Sequence, residues 1–204
     1  MNRLFLTSNG LSGKTMDLFW KAIGKEAADT RAILVPSAAV ESDAAREGIA
    51  VCAERLLHMG IPFHNILLYH LGFLLSHGYA RTYSSYIQEI PMPFRLMNAQ
   101  EIMQYDMIVF CGGNARTLLQ EINRTGFAGP LKQAVANGLV YLGISAGSMI
   151  AAGNFAVGLG FLPNPLVPHA ATGSPDGRVS SKELIALADG QAVCIQGEQV
   201  EIVG

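Results

Sequence analysis

Short apolar runs alternate along the chain with longer stretches in which apolar residues recur every three or four positions. Arg3–Thr7, Ala32–Val35, Phe63–Tyr69, Met107–Cys111 and Leu139–Ile144 are runs of apolar or β-branched residues, and each predicts a strand. Between them, Thr15–Lys25, Ser42–His58, Ala99–Gln104, Ala115–Asn123 and Pro130–Ala136 predict helices. In the second of these, Ala45, Ile49, Cys52, Ala53 and Leu56 form an apolar stripe, with Ser42 ahead of it and Gly60 placed to end it. Such alternation implies an α/β fold whose mostly parallel sheet is covered on both faces, with any ligand at the carboxyl ends of the strands. Near the end, Ala192–Gln196 and Gln199–Val203 flank Gly197-Glu198, a two-residue hairpin signal. The segment from His70 to Arg95 has no clean period and is expected to be an excursion, either a lid or a partner surface.

Composition narrows the class. A chain of 204 residues, half of them apolar and 15% charged, predicts one domain over 1–204 with a substantial buried core. A formal net charge of −2 gives no reason to expect nucleic acid or an anionic membrane as a partner. A small peptide or other small molecule fits better, with a homodimer as a further candidate assembly. Cys52, Cys111 and Cys194 are far apart, odd in number and set in apolar surroundings, so they read as reduced thiols in a cytoplasmic protein. The opening Met1–Ser8 has too short an apolar run for a signal peptide. Gln133 to Pro168 contains no charged residue, but its glycines and prolines are too dense for a membrane helix. No His, Cys or carboxylate cluster has metal-ligand spacing, and neither a metal nor a cofactor is expected.

The chemistry concentrates at Gly143-Ile144-Ser145-Ala146-Gly147, a G-x-S-x-G sequence between a predicted strand and the helix expected over Ala146–Ala152. A sharp strand-to-helix turn would lift the Ser145 hydroxyl beside free backbone N–H groups, which makes Ser145 the candidate nucleophile. A serine needs a base, and the chain offers His58, His64, His70, His77 and His169. His169, which follows a short extended run ending in Pro168, is the best placed. The Ala146 N–H, next to the nucleophile, would supply one oxyanion donor, and the Cys111-Gly112-Gly113-Asn114 turn a second. No Walker lysine follows that turn.

With those residues in place, the chain resembles the peptidase E (aspartyl dipeptidase) and cyanophycinase family of serine peptidases. The resemblance runs through Leu6-Thr7-Ser8, Ile33–Ala38, Gly112-Gly113-Asn114, Gly143–Ser148, Val167-Pro168-His169, Leu187–Ala192 and Val200–Gly204. It implies a class I glutamine-amidotransferase-like, flavodoxin-like three-layer sandwich. It also implies Ser145 as nucleophile, His169 as base and the Gly113 and Ala146 amides as oxyanion donors, with Asn114 and Arg178 on the substrate. An arginine such as Arg178 would receive the side chain of an N-terminal aspartate bidentately.

The chain departs from the family in three places. Ala146 to Pro168 contains no Asp or Glu, where the family carries its triad acid. His169 could instead be oriented by the amide of Asn154 or Asn164, or by a downstream acid such as Asp176 or Glu183; otherwise the site is degenerate. The run Ser181–Asp189 is shorter than the family's, with a helix expected to lead straight into Leu187, and Leu71–Arg95 is longer. The leading expectation is a serine peptidase acting on small peptides. The alternatives are a catalytically degenerate binding or regulatory homologue, and an esterase or amidase on the same scaffold. A glutamine amidotransferase would use Cys where this chain has Ser145.

Overall fold

A computed structural model of the protein describes residues 2–36, 43–74 and 95–204. Most of the excursion expected over His70–Arg95 falls outside the described residues, as does the stretch that follows β2. The strands are β1 (Arg3–Thr7), β2 (Ala32–Val35), β3 (Ile66–Leu68), β4 (Met107–Phe110), β5 (Val140–Ile144), β6 (Leu166–Val167), β7 (Gly177–Arg178), β8 (Ile185–Ala186), β9 (Ala192–Gln196) and β10 (Gln199–Val203). The α-helices are α1 (Gly13–Ile23), α2 (Asp43–His58), α3 (Ala99–Ile102), α4 (Ala115–Thr125), α5 (Ala128–Ala136) and α6 (Ala146–Ala151).

The main sheet has the order β3-β2-β4-β5-β1-β9-β10-β7. Its first five strands are mutually parallel, and β9, β10 and β7 extend it in antiparallel fashion beyond β1. Parallel strands packed on both faces must be apolar on both, which is why the runs read from the sequence are continuous rather than alternating. In β1, Leu4 and Leu6 enter one core and Phe5 the other. In β4, Ile108 and Phe110 join the first core, and Met107 and Val109 the second. Helices α4, α5 and α6 cover the first face, through residues such as Leu118, Ile122, Leu131 and Ile150. Helices α1 and α2 cover the second, through Phe19, Ile23, Cys52 and Leu56. Each such side chain removed from water contributes about 1.5–3 kcal/mol.

Most strand and helix limits lie within a residue or two of those expected. The run Phe63–Tyr69 is an exception. Phe63–Asn65 forms a 3-10 turn, with Phe63 exposed, and only Ile66–Leu68 pairs with β2. The helix expected before Leu187 is absent: Ile185–Ala186 is a strand that pairs with Leu166–Val167 in a separate two-stranded parallel ribbon. Ile185 N–H donates to the Pro165 carbonyl and Leu187 N–H to the Val167 carbonyl, so this backbone is bonded across the ribbon and not along a helix. The charge-free Gln133–Pro168 stretch resolves into the end of α5, then β5, α6 and β6. Among the described residues, no helix is long and apolar enough to cross a membrane.

Candidate active site

Strand β5 ends at Ile144, and α6 begins at Ala146. Ser145, between them, holds φ 50° and ψ −102°, a conformation that a residue with a side chain rarely adopts. Such a backbone costs on the order of 1–3 kcal/mol and persists only where the surroundings impose it. Here they do. A Cβ at Gly143 would lie 2.7 Å from the Ser148 nitrogen, and one at Gly147 would lie 2.5 Å from the Phe110 carbonyl oxygen. Only glycine lets the turn close this tightly, which explains the spacing of the motif. Hydrogen bonds then brace the turn against β1: Ser145 N–H donates to the Thr7 carbonyl at 3.0 Å, and the Thr7 hydroxyl to the Gly143 carbonyl at 2.8 Å. Ser148, fully buried, shares its hydroxyl between the carbonyls of Thr7 and Gly143. The Tyr141 hydroxyl reaches the Gly147 carbonyl at 2.7 Å.

His169 follows β6 and Pro168, also at positive φ, 57°. Its Nε2 lies 3.0 Å from Ser145 Oγ and its Nδ1 3.0 Å from Asp189 Oδ1. Ser8, immediately after β1, ties this pair together. The His169 backbone N–H donates to Ser8 Oγ at 2.8 Å, and Ser8 Oγ donates to Asp189 Oδ1 at 2.7 Å. The Ser8 and His169 hydrogen bonds hold the Asp189 carboxyl below its ordinary pKa. An ionised carboxylate can only accept, so Nδ1 carries the ring proton and Nε2 is left to accept from the Ser145 hydroxyl.

The cleft around these groups, about 240 Å³, is lined by Ser8, Gly112, Gly113, Ser145, His169 and Arg55 among others. Neither the Gly113 nor the Ala146 N–H has a hydrogen-bond partner among the described residues, and both flank the nucleophile. Two donors beside a serine–imidazole–carboxylate chain can stabilise charge developing on a carbonyl oxygen under attack. Among the described residues, no group of three or more His, Cys, Asp or Glu is placed to hold a metal ion.

Not every residue singled out in the sequence comes to the cleft. Asn114 caps α4, its side-chain oxygen accepting from the N–H groups of Arg116 and Thr117. Arg178 lies on the edge strand β7, opposite Glu201, with β10, β9 and β1 between it and β5. It is exposed and far across the sheet from Ser145, so it does not come to the cleft where the resemblance would put it. None of the four groups considered for orienting His169 is hydrogen-bonded to its ring, whose partners at 3.0 Å are Asp189 and Ser145. Asn154 bonds both backbone groups of Leu166, and Asn164 donates to the carbonyls of Ser181 and Glu183. Asp176 accepts from Gln191 Nε2 and the Gly204 N–H, and Glu183 is exposed. Asp189 and Ser8 take the position instead. Their signal was topological: Thr7 pairs with Ala192 in the β1–β9 ladder, which brings the residue after β1 beside the turn before β9.

The parallel sheet with helices on both faces and the elbow at the end of β5 define a class I glutamine-amidotransferase-like α/β fold. Two solved structures share it: one described as a peptidase E protein from Listeria monocytogenes EGD-e, and a peptidase from an acI-B1 Actinobacterium. The first is 20% identical with a TM-score of 0.66, covering 100% of this chain and 98% of its own. The second is 15% identical with a TM-score of 0.62, covering 100% and 88%. The sequence model of peptidase family S51 matches residues 87–203, and the chain belongs to that family, the peptidase E family. An uncharacterized peptidase of Pasteurella multocida (strain Pm70) is 44% identical over 54 residues, a match spanning 26% of this chain and 26% of that protein.

The elbow yields a stability prediction. Gly147→Ala drives a methyl group into the Phe110 carbonyl and should cost about 3 kcal/mol or more. Thermal unfolding with an unchanged midpoint would show that the turn is not packed as described.

Proposed function

We propose that the protein is a serine peptidase that hydrolyses small peptides through an acyl-enzyme on Ser145. The observation that carries this reading is the unbroken chain from Ser145 Oγ through the His169 ring to Asp189, with 3.0 Å at each link. Ser145 Oγ attacks the peptide carbonyl carbon while its proton passes to His169 Nε2. The oxygen, now negative, is received by the Gly113 and Ala146 N–H groups. His169 returns the proton to the departing amine, the C–N bond breaks, and the acyl group remains on Ser145. Water, deprotonated by His169, attacks the ester carbonyl; the bond to Ser145 Oγ then breaks, His169 returns the proton to that oxygen, and the acid departs. Asp189 holds the tautomer and stabilises the imidazolium that forms at each stage.

Family membership supports a serine-type peptidase, and the short substrate belongs to the proposal. A preference for an N-terminal aspartate is the finer reading, and the arginine expected to secure it, Arg178, stands at the sheet edge. The degenerate alternative was motivated by the missing acid, and Asp189 beside His169 weighs against it.

A mass-spectrometric time course with Asp-Xaa, Glu-Xaa and neutral dipeptides and tripeptides tests the reading. Wild type should cleave part of the panel, and Ser145→Ala should cleave none while keeping its stability. Turnover that survives in Ser145→Ala excludes the mechanism. On the same substrates Ser8→Ala should lower kcat about 10–100-fold, since it removes a hydrogen bond to an ionised carboxylate worth roughly 1.5–3 kcal/mol. An unchanged kcat would show that Asp189 needs no such support.

A further inference from the structure

A second cavity, about 500 Å³, opens beside the cleft, between α1, α2 and the sheet. Leu11, Met16, Trp20, Leu56, Met59 and Leu142 supply most of its apolar wall. Asn9, Cys52, Arg55 and Ile144 line both this chamber and the cleft that contains Ser145 and His169, so the two spaces adjoin. A cation marks the junction. Arg55 donates from Nη1 to the Asn9 carbonyl at 2.7 Å and from Nη2 to Asn9 Oδ1 at 3.2 Å, which fixes the guanidinium there. No carboxylate among the described residues forms an ion pair with it. A chamber of this size, mostly apolar with Arg55, Asn9 and His58 as its polar side chains, has the character of a small-ligand site.

Resting on the peptidase reading, we propose that this chamber is the subsite for the C-terminal residue of a dipeptide substrate. A large apolar side chain fills it, and Arg55 receives that residue's α-carboxylate. The chemistry selects this end of the peptide. A C-terminal residue carries a carboxylate and its side chain on one carbon atom, and a guanidinium at the mouth of an apolar chamber matches both together. The N-terminal residue of a dipeptide presents an ammonium instead, which Arg55 repels. With the scissile carbonyl at Ser145, the leaving residue passes Ile144 and Arg55, and its amine remains within reach of His169. The chain is thereby a dipeptidase with a bulky apolar preference on the leaving side.

Calorimetric titration of the Ser145→Ala protein, which binds without cleaving, separates this proposal from the peptidase reading. The probes are Asp-Phe, Asp-Phe amide, Asp-Ala and Ala-Phe. Asp-Phe should bind about 10–100-fold more tightly than Asp-Ala, from burial of the ring. It should bind about 10-fold or more above its amide, from the charge-assisted bond to Arg55. Adding Arg55→Gln should remove the acid-over-amide difference and keep the Phe-over-Ala one. Adding Met16→Trp, which fills the chamber, should do the reverse. Equal binding of Asp-Phe, its amide and Asp-Ala overturns the subsite, and that comparison needs no change at Arg55. So does an Arg55 that discriminates Asp-Phe from Ala-Phe but not acid from amide, since it would then serve the N-terminal side chain. Turnover by wild type without these preferences sinks the subsite and leaves the peptidase. The preferences without turnover keep the subsite and sink the peptidase. Neither binding nor turnover sinks both.

Discussion

Strand β1 runs parallel to β5 on one side and antiparallel to β9 on the other, and its last residue and the one after it hold the candidate site together. Thr7 serves the β5 side. Its carbonyl accepts from the Ser145 N–H and the Ser148 hydroxyl, and its own hydroxyl bonds the Gly143 carbonyl. Ser8 serves the other side, bonding the His169 backbone and the Asp189 carboxylate. The nucleophile arrives from one neighbouring strand and the acid from the turn before the other. A small change in how β1 sits would therefore move the serine against its imidazole, and reacting groups displaced by about 1 Å lose much of their rate.

Strain and support are matched in the same place. Ser145 and His169 are the non-glycine residues with positive φ among the described residues, and they face each other across 3.0 Å. Each is pinned at its backbone nitrogen by β1 or the residue after it: Ser145 by the Thr7 carbonyl and His169 by the Ser8 hydroxyl. The parallel part of the sheet, apolar on both faces, supplies the rigid base for these contacts. The antiparallel extension supplies Asp189. Neither part would complete the chain of hydrogen bonds without the other.

The physics of short-range pattern explains what the sequence made legible. Continuous apolar runs marked β1, β2, β4 and β5, because parallel strands are buried on both faces. The glycines of the elbow were legible because their requirement is local: a Cβ at either would strike backbone a few residues away or on the next strand. The acid was not legible, because Asp189 reaches His169 through the pairing of β1 with β9, a contact between distant parts of the chain. Arg178, which the resemblance implies on the substrate, stands on the edge strand for the same kind of reason: which way the backbone crosses the sheet is settled by long-range pairing, not by local pattern. The extended run before His169 holds β6, but β8 and its pairing with β6 were missed, because a two-residue strand leaves almost no periodicity to read.

The central claim is that Ser145, His169 and Asp189 act as one unit. Labelling with a fluorophosphonate, followed by mass spectrometry and peptide mapping, tests it without knowledge of the substrate. Wild type should take up one label, on Ser145, and Asp189→Asn should slow that uptake by about 10⁴, the scale on which an imidazole in the wrong tautomer loses its function. Labelling of Asp189→Asn at the wild-type rate, or a label on any other residue, would contradict the account.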